Sequence, residues 1–157
     1  MSLISKESHI GKVKSLSSSS VVVLLDDDLF TMERTINGKI YKVGQIGAFI
    51  ILPVGGVEIV GIVSRVYQAT ELNREMDAQL IGSVVDGKFQ KGIVAYPVLG
   101  NDVYMTTEEG VATIFASFSQ FGFAVGDISG YVGERQYIDP NKFFGKHIAV
   151  LGSSGSG

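Results

Sequence analysis

At 157 residues the chain has the length of one ordinary domain, or of one domain and the start of another. It is 45% hydrophobic and 18% charged, which allows a buried core and excludes a disordered polar chain. A net charge of −3, from 13 basic and 16 acidic residues, leaves no overall footprint for nucleic acid, and the absence of Cys excludes disulfides and thiolate metal sites.

Residues 1–11 mix Ser, Lys, Glu and His without an apolar core, unlike a signal peptide. The longest apolar runs, such as 48–54, are too short to cross a bilayer, so a cytoplasmic protein is expected. Strands are predicted over 9–16 and 21–26, joined by a serine turn at 17–20 whose hydroxyls bond to nearby backbone. The polar stretch 27–43 contains the turn pair Asn37-Gly38 and is expected to be a long loop or a protruding hairpin. Strands over 45–54 and 57–67 flank Gly55-Gly56, and strands over 78–85 and 88–95 flank Asp86-Gly87. In the strand 57–67, Val60, Ile62 and Val66 alternate with Ile59, Val63 and Tyr67. Both faces therefore seek cover, as in a barrel strand that also packs on a neighbour.

About six strands with short connections indicate a mainly β fold, a small closed antiparallel barrel or a sandwich. The pattern then changes. Thr106-Thr107-Glu108-Glu109 resembles a capping box with Thr106 as the cap. Val111, Ile114, Phe115 and Phe118 follow at the spacing of an amphipathic helix. Residues 121–133 read as loop or an additional strand, and Asp139-Pro140 as a turn. A short apolar strand at 148–151 runs into Gly152-Ser153-Ser154-Gly155-Ser156-Gly157.

Gly152 and Gly157 occupy the first and sixth positions of a phosphate-binding loop, where glycine lets backbone N–H groups converge on phosphate oxygens. Six Gly and Ser residues alone fit a flexible linker equally well. The preceding residues decide between them. The segment 138–157 (Ile-Asp-Pro-Asn-Lys-Phe-Phe-Gly-Lys-His-Ile-Ala-Val-Leu-Gly-Ser-Ser-Gly-Ser-Gly) resembles the entry to the motor domain of HerA-type DNA-translocating ATPases. Residues 95–104 and the glycine-punctuated barrel are similar to that family as well.

The resemblance implies an N-terminal HAS-type barrel over 1–100, a helix-containing connector over 101–138, and the beginning of a P-loop ATPase domain over 139–157. It further implies a homo-hexamer that uses ATP and Mg²⁺ to translocate double-stranded DNA. The barrel face would dock a nuclease or another effector, sirtuin-type proteins among them, in DNA processing or antiviral defence. In this sequence Gly152, Ser153, Ser154, Gly155, Ser156 and Gly157 correspond to the phosphate-cradling part of Walker A. The Lys, the magnesium-binding hydroxyl and the Walker B carboxylates are expected beyond Gly157. The chain by itself is therefore expected to be catalytically inactive and to bind no nucleotide tightly.

The remaining candidate residues carry weaker signals. Asp26-Asp27-Asp28 offers oxygen ligands but lacks the glycine and distal Glu of a calcium loop, and reads as a solvated loop. His9 and His147 have no second ligand at metal-binding spacing, and Ser17–Ser20 lacks a nucleophile elbow. Phe115, Phe118, Phe121 and Phe123 are expected in the core more than on a stacking platform. Arg65, Lys88 and Lys91 are candidate contacts to DNA or a partner, with solubility as the default. Two rival functions remain: an OB-like barrel for single-stranded nucleic acid, and the barrel of a rotary ATPase subunit. The first needs a basic groove, and the second needs more chain between barrel and P-loop.

Overall fold

A computed structural model of the chain describes residues 4–119, 122–128, 131, 133, 135–145, 147, 149, 151–153 and 155, with 117–119 as backbone alone. A short 3₁₀ turn, Lys6–Ser8, leads into β1 (His9–Leu16) and β2 (Ser20–Leu25). The hairpin β3 (Glu33–Ile36) and β4 (Lys39–Lys42) follows. Next come β5 (Phe49–Val54), β6 (Val57–Gln68), β7 (Arg74–Val85), β8 (Lys88–Lys91) and β9 (Asp102–Met105). The helix α1 (Glu108–Ser119), the hairpin β10 (Phe123–Asp127) and β11 (Arg135–Ile138), and the short helix α2 (Pro140–Phe144) complete the described elements.

Six strands close on themselves in the order β2-β1-β9-β5-β6-β7, with β7 pairing back to β2 and every pairing antiparallel. The fold is a mainly β protein built on a closed antiparallel barrel. Closure removes the exposed edges that an open sheet of these apolar strands would present. The barrel interior is solid. Ile10, Val23, Ile50, Ile59, Met76 and Val103 are each at most 1% exposed and belong to one apolar cluster.

Bulges let so small a ring curve and close. One lies in β1, where its pairing with β9 shifts between His9 and Gly11. At Gly11 the chains approach so closely that a Cβ would sit 2.1 Å from the Leu24 carbonyl oxygen. Two more lie in the β6–β7 ladder, at Val60/Gly61 and Val63/Arg65. The second inverts the face pattern of β6. Ile59 and Val63 point inward and Val60 and Ile62 outward, but beyond the bulge Val66 packs on the inner cluster and the Tyr67 hydroxyl bonds outer-wall carboxylates. Simple alternation places Val66 with Val60 and misses this exchange.

The outer wall of β5 and β6 is also covered. Phe49, Ile51 and Val60 form a second cluster with Val84, Val111 and Ile114 of α1, and Tyr131. The expected burial of β6 on both faces is therefore found.

The turn pairs behave as their chemistry requires. Asp86 and Gly87 both take positive φ, 50° and 73°, as a two-residue hairpin turn demands. The stretch after β2 does form a hairpin about Asn37-Gly38, but it lies against the barrel instead of protruding, because Leu29, Ile36 and Val43 are buried in the inner cluster. Two differences concern strand membership. The strand expected over 88–95 ends at Lys91 and adds only to β7, outside the ring. The sixth wall strand is β9, four residues in the stretch read as connector.

The capping box at Thr106 is not made. The Thr106 N–H donates to the Phe49 carbonyl (3.2 Å), which keeps the residue on the barrel wall. Its Oγ1 is buried without a hydrogen-bond partner, and the helix begins two residues later at Glu108. Asp139-Pro140 starts α2 instead of a simple turn, with the Asp139 carboxylate accepting the Asn141 N–H (3.0 Å) and Pro140 in the first helical position.

Candidate functional site

After α2 the described residues His147, Ala149, Leu151, Gly152 and Ser153 carry no regular structure, and all are exposed. Leu151 is 92% exposed. Gly155 lies in a turn with φ 85°. Ile148 and Val150 of the expected strand, and Ser154, Ser156 and Gly157 of the expected phosphate loop, lie outside the described residues. The positive φ at Gly155 is one that glycine adopts freely.

Charged side chains gather on the barrel wall instead. His9, at the start of β1, places Nδ1 2.8 Å from Asp26 Oδ2 and Nε2 3.2 Å from Asp102 Oδ1. Lys12 donates to the same Asp102 oxygen at 2.8 Å. Arg34 forks onto Asp28 (2.6 and 3.1 Å), reaches Asp26 (3.0 Å), and donates through Nε to the His9 carbonyl (2.9 Å). The Arg34 hydrogen bond holds the Asp28 carboxyl below its ordinary range, and the Lys12 hydrogen bond does the same for Asp102. The acidic run at 26–28 is thus an arginine clamp that ties the β3–β4 hairpin to the barrel. Among the described residues no group of three or more His, Cys, Asp or Glu is arranged to hold a metal ion.

A second group of charges crosses β1, β6 and β7. Lys14 donates to the buried Glu75 at 2.6 Å, and the Tyr67 hydroxyl lies 3.2 Å from both Glu75 and Asp77. Arg65 pairs with Asp77 and lies over the Tyr67 ring, 4.5 Å from its centroid. Burial, followed by the Glu75 hydrogen bond, raises the Tyr67 hydroxyl above its ordinary value. Lys12, Lys14, Arg34 and Arg65 therefore all meet carboxylates of their own chain. A wall neutralised in this way is not a strip of unpaired cations for phosphates. The carboxylates about His9 come from 17 and 93 residues away, beyond the reach of a local motif.

The aromatic candidates divide. Phe115 packs edge-on against Phe49, with centroids 5.6 Å apart, in the second apolar cluster. Phe123 is exposed instead of in the core, on a hairpin outside the barrel, and meets Phe143 and Phe144 at 6.0 and 5.7 Å. The Phe118 side chain and Phe121 lie outside the described residues.

A large concavity lies on the outside of the barrel. It is a groove of about 1050 Å³ with an apolar floor of Ile62, Ile81 and Phe89 from β6, β7 and β8. Ile114 and Phe115 of α1 form one bank, and Ile138 and Phe143 the other. Lys91, Asp139 and Lys142 lie along it.

Against protein-family models and curated proteins, the chain finds no match.

One fastening of the chain beyond α1 to the barrel comes from a residue that carried no sequence signal. Tyr131 is 8% exposed, and its hydroxyl accepts the Phe49 N–H at 3.0 Å, across 82 residues of chain. Burial raises this hydroxyl above its ordinary value, an effect partly offset by the Phe49 hydrogen bond. A single tyrosine in a glycine-rich stretch of sequence has no periodicity to betray it.

Proposed function

We propose that the chain is the assembly and partner-docking barrel of a HerA-type, ATP-dependent double-stranded DNA translocase. The observation that supports this most is a closed antiparallel barrel followed, after α1 and the β10–β11 hairpin, by the Asp139–Gly157 lead-in and its glycines at the first and sixth positions. A barrel filled with its own side chains has no interior ligand site. Its function therefore lies on the outer wall, in contacts with other subunits and with an effector.

In this reading six protomers assemble in a ring, the barrels sit at one face, and a nuclease or other effector docks there. Gly152–Gly157 would begin the loop that holds ATP phosphates through backbone N–H groups, with Mg²⁺ supplied alongside. No residue described on the barrel is assigned a catalytic role. The internally paired cations disfavour the rival OB-like reading, which needs a basic groove. The short path from β9 to Gly152 disfavours a rotary ATPase subunit.

Hydrolysis tests the reading. A polypeptide in which this barrel precedes a complete P-loop core should hydrolyse ATP faster with double-stranded DNA, and residues 1–157 alone should not hydrolyse it. Absence of hydrolysis with and without DNA in the longer polypeptide refutes the motor assignment.

A further inference from the structure

We infer that the groove between α1 and the β11–α2 segment is the berth of a partner's amphipathic helix, with acidic residues flanking that helix's apolar stripe. The inference takes from the docking reading only the premise that a partner exists, and it adds the surface and the chemistry.

The outer faces of β6, β7 and β8 form a sheet surface, and such a surface is stable when a layer of helices lies on it. The 12 residues of α1 span about 18 Å at 1.5 Å per residue, enough to cover one strip. Beside that strip Ile62, Ile81 and Phe89 are only half-buried, and they are the groove's floor. The volume of about 1050 Å³ lies at the top of the range of about 300–1,000 Å³ usual for small-molecule pockets. An apolar floor between two banks is the arrangement that accepts a helix by residues at i, i+3, i+4 and i+7.

Charge selects the flanks. On β8 the side chains alternate, so Lys91 shares the face of Phe89 and reaches the groove. Lys91 forms no ion pair among the described residues. Lys142, along the far bank, stands 3.8 Å from Asp139, whose other oxygen caps α2. The groove thus offers two ammonium groups against one committed carboxylate, which complements an acidic helix and repels a basic one.

A yeast-displayed library of 18-residue amphipathic helices, with flanks randomised among Glu, Lys, Ser and Gln, tests this on labelled residues 1–157. Sorting should enrich Glu at the flanks. The charge reversal Lys91→Glu/Lys142→Glu should weaken the enriched clones about tenfold, with the difference shrinking in high salt. Ile81→Glu should abolish binding, while the lysine variant, altered only at exposed positions, guards against a folding artefact.

The inference is overturned if no clone binds above background. It is equally overturned if flanks enrich without Glu, or if proline-broken clones bind as well, which indicates an added strand at β8. Self-association of the chain that Ile81→Glu abolishes would overturn it too, in favour of a second copy in the groove. None of these results depends on ATP hydrolysis, so the helix berth and the motor assignment fail separately.

Discussion

Tyr131→Phe tests how the segment after α1 is fastened to the barrel. The substitution keeps the ring, whose centroid lies 5.9 Å from that of Phe49, and removes the oxygen that accepts the Phe49 N–H. That N–H belongs to the first residue of β5, which is 6% exposed, and water cannot replace the lost acceptor without opening the wall. Leaving a buried donor unpaired costs about 1–3 kcal/mol. For a chain of this size each kcal/mol lowers Tm by about 2–4 °C, so a fall of about 2–12 °C is expected. Amide hydrogen exchange gives the local readout. Protection of the Phe49 N–H should drop about 5- to 150-fold, as that free energy implies, while core amides such as Met76 change only with global stability. Unchanged Tm and unchanged Phe49 protection would refute the tether.

Further outcomes follow from the same structure. Gly11→Ala drives a Cβ to 2.1 Å from the Leu24 oxygen, and backbone must move to admit it. Its urea midpoint should imply a loss of about 3 kcal/mol or more. Gly38→Ala meets nothing within 4 Å and strains only φ, costing about 1–2 kcal/mol, so equal losses for the two would contradict the close approach at Gly11.

Acid should loosen the Arg34 clamp. Asp28 and Asp102 titrate lower in the folded chain than in the unfolded one, by hydrogen bonds from Arg34 and Lys12 respectively. The stability they contribute is therefore present above a pH of about 4 and is lost as pH falls through their folded values. Urea midpoints measured from pH 7 downward should show this loss, and Arg34→Ala should flatten the part due to Asp28. An equally steep loss in that variant contradicts the assignment.

Much of the barrel was legible because its determinants are local. Turn pairs such as Asp86-Gly87 need only two residues in positive φ, and β1, β2, β5 and β6 announce themselves by β-branched runs. What escaped depends on distant partners. The first half of β7 carries Arg74, Glu75 and Asp77, which look like loop residues until Lys14, Arg65 and Tyr67 are seen to meet the carboxylates from neighbouring strands. β9 is only four residues long and is defined by the β1 and β5 edges it joins. The Val63/Arg65 bulge exchanges the faces of β6, and no period-two pattern encodes an inserted residue. The site was harder to read. His9 acquires its two carboxylates, and Phe49 its tyrosine, only through the closed ring.

Assembly into a ring is the property on which the proposed function depends most, and sedimentation equilibrium measures it. A polypeptide carrying this barrel in front of a complete P-loop core should sediment at six times its chain mass at micromolar concentration. A mass of one chain over the same range, with ATP and DNA present, would contradict the proposed ring.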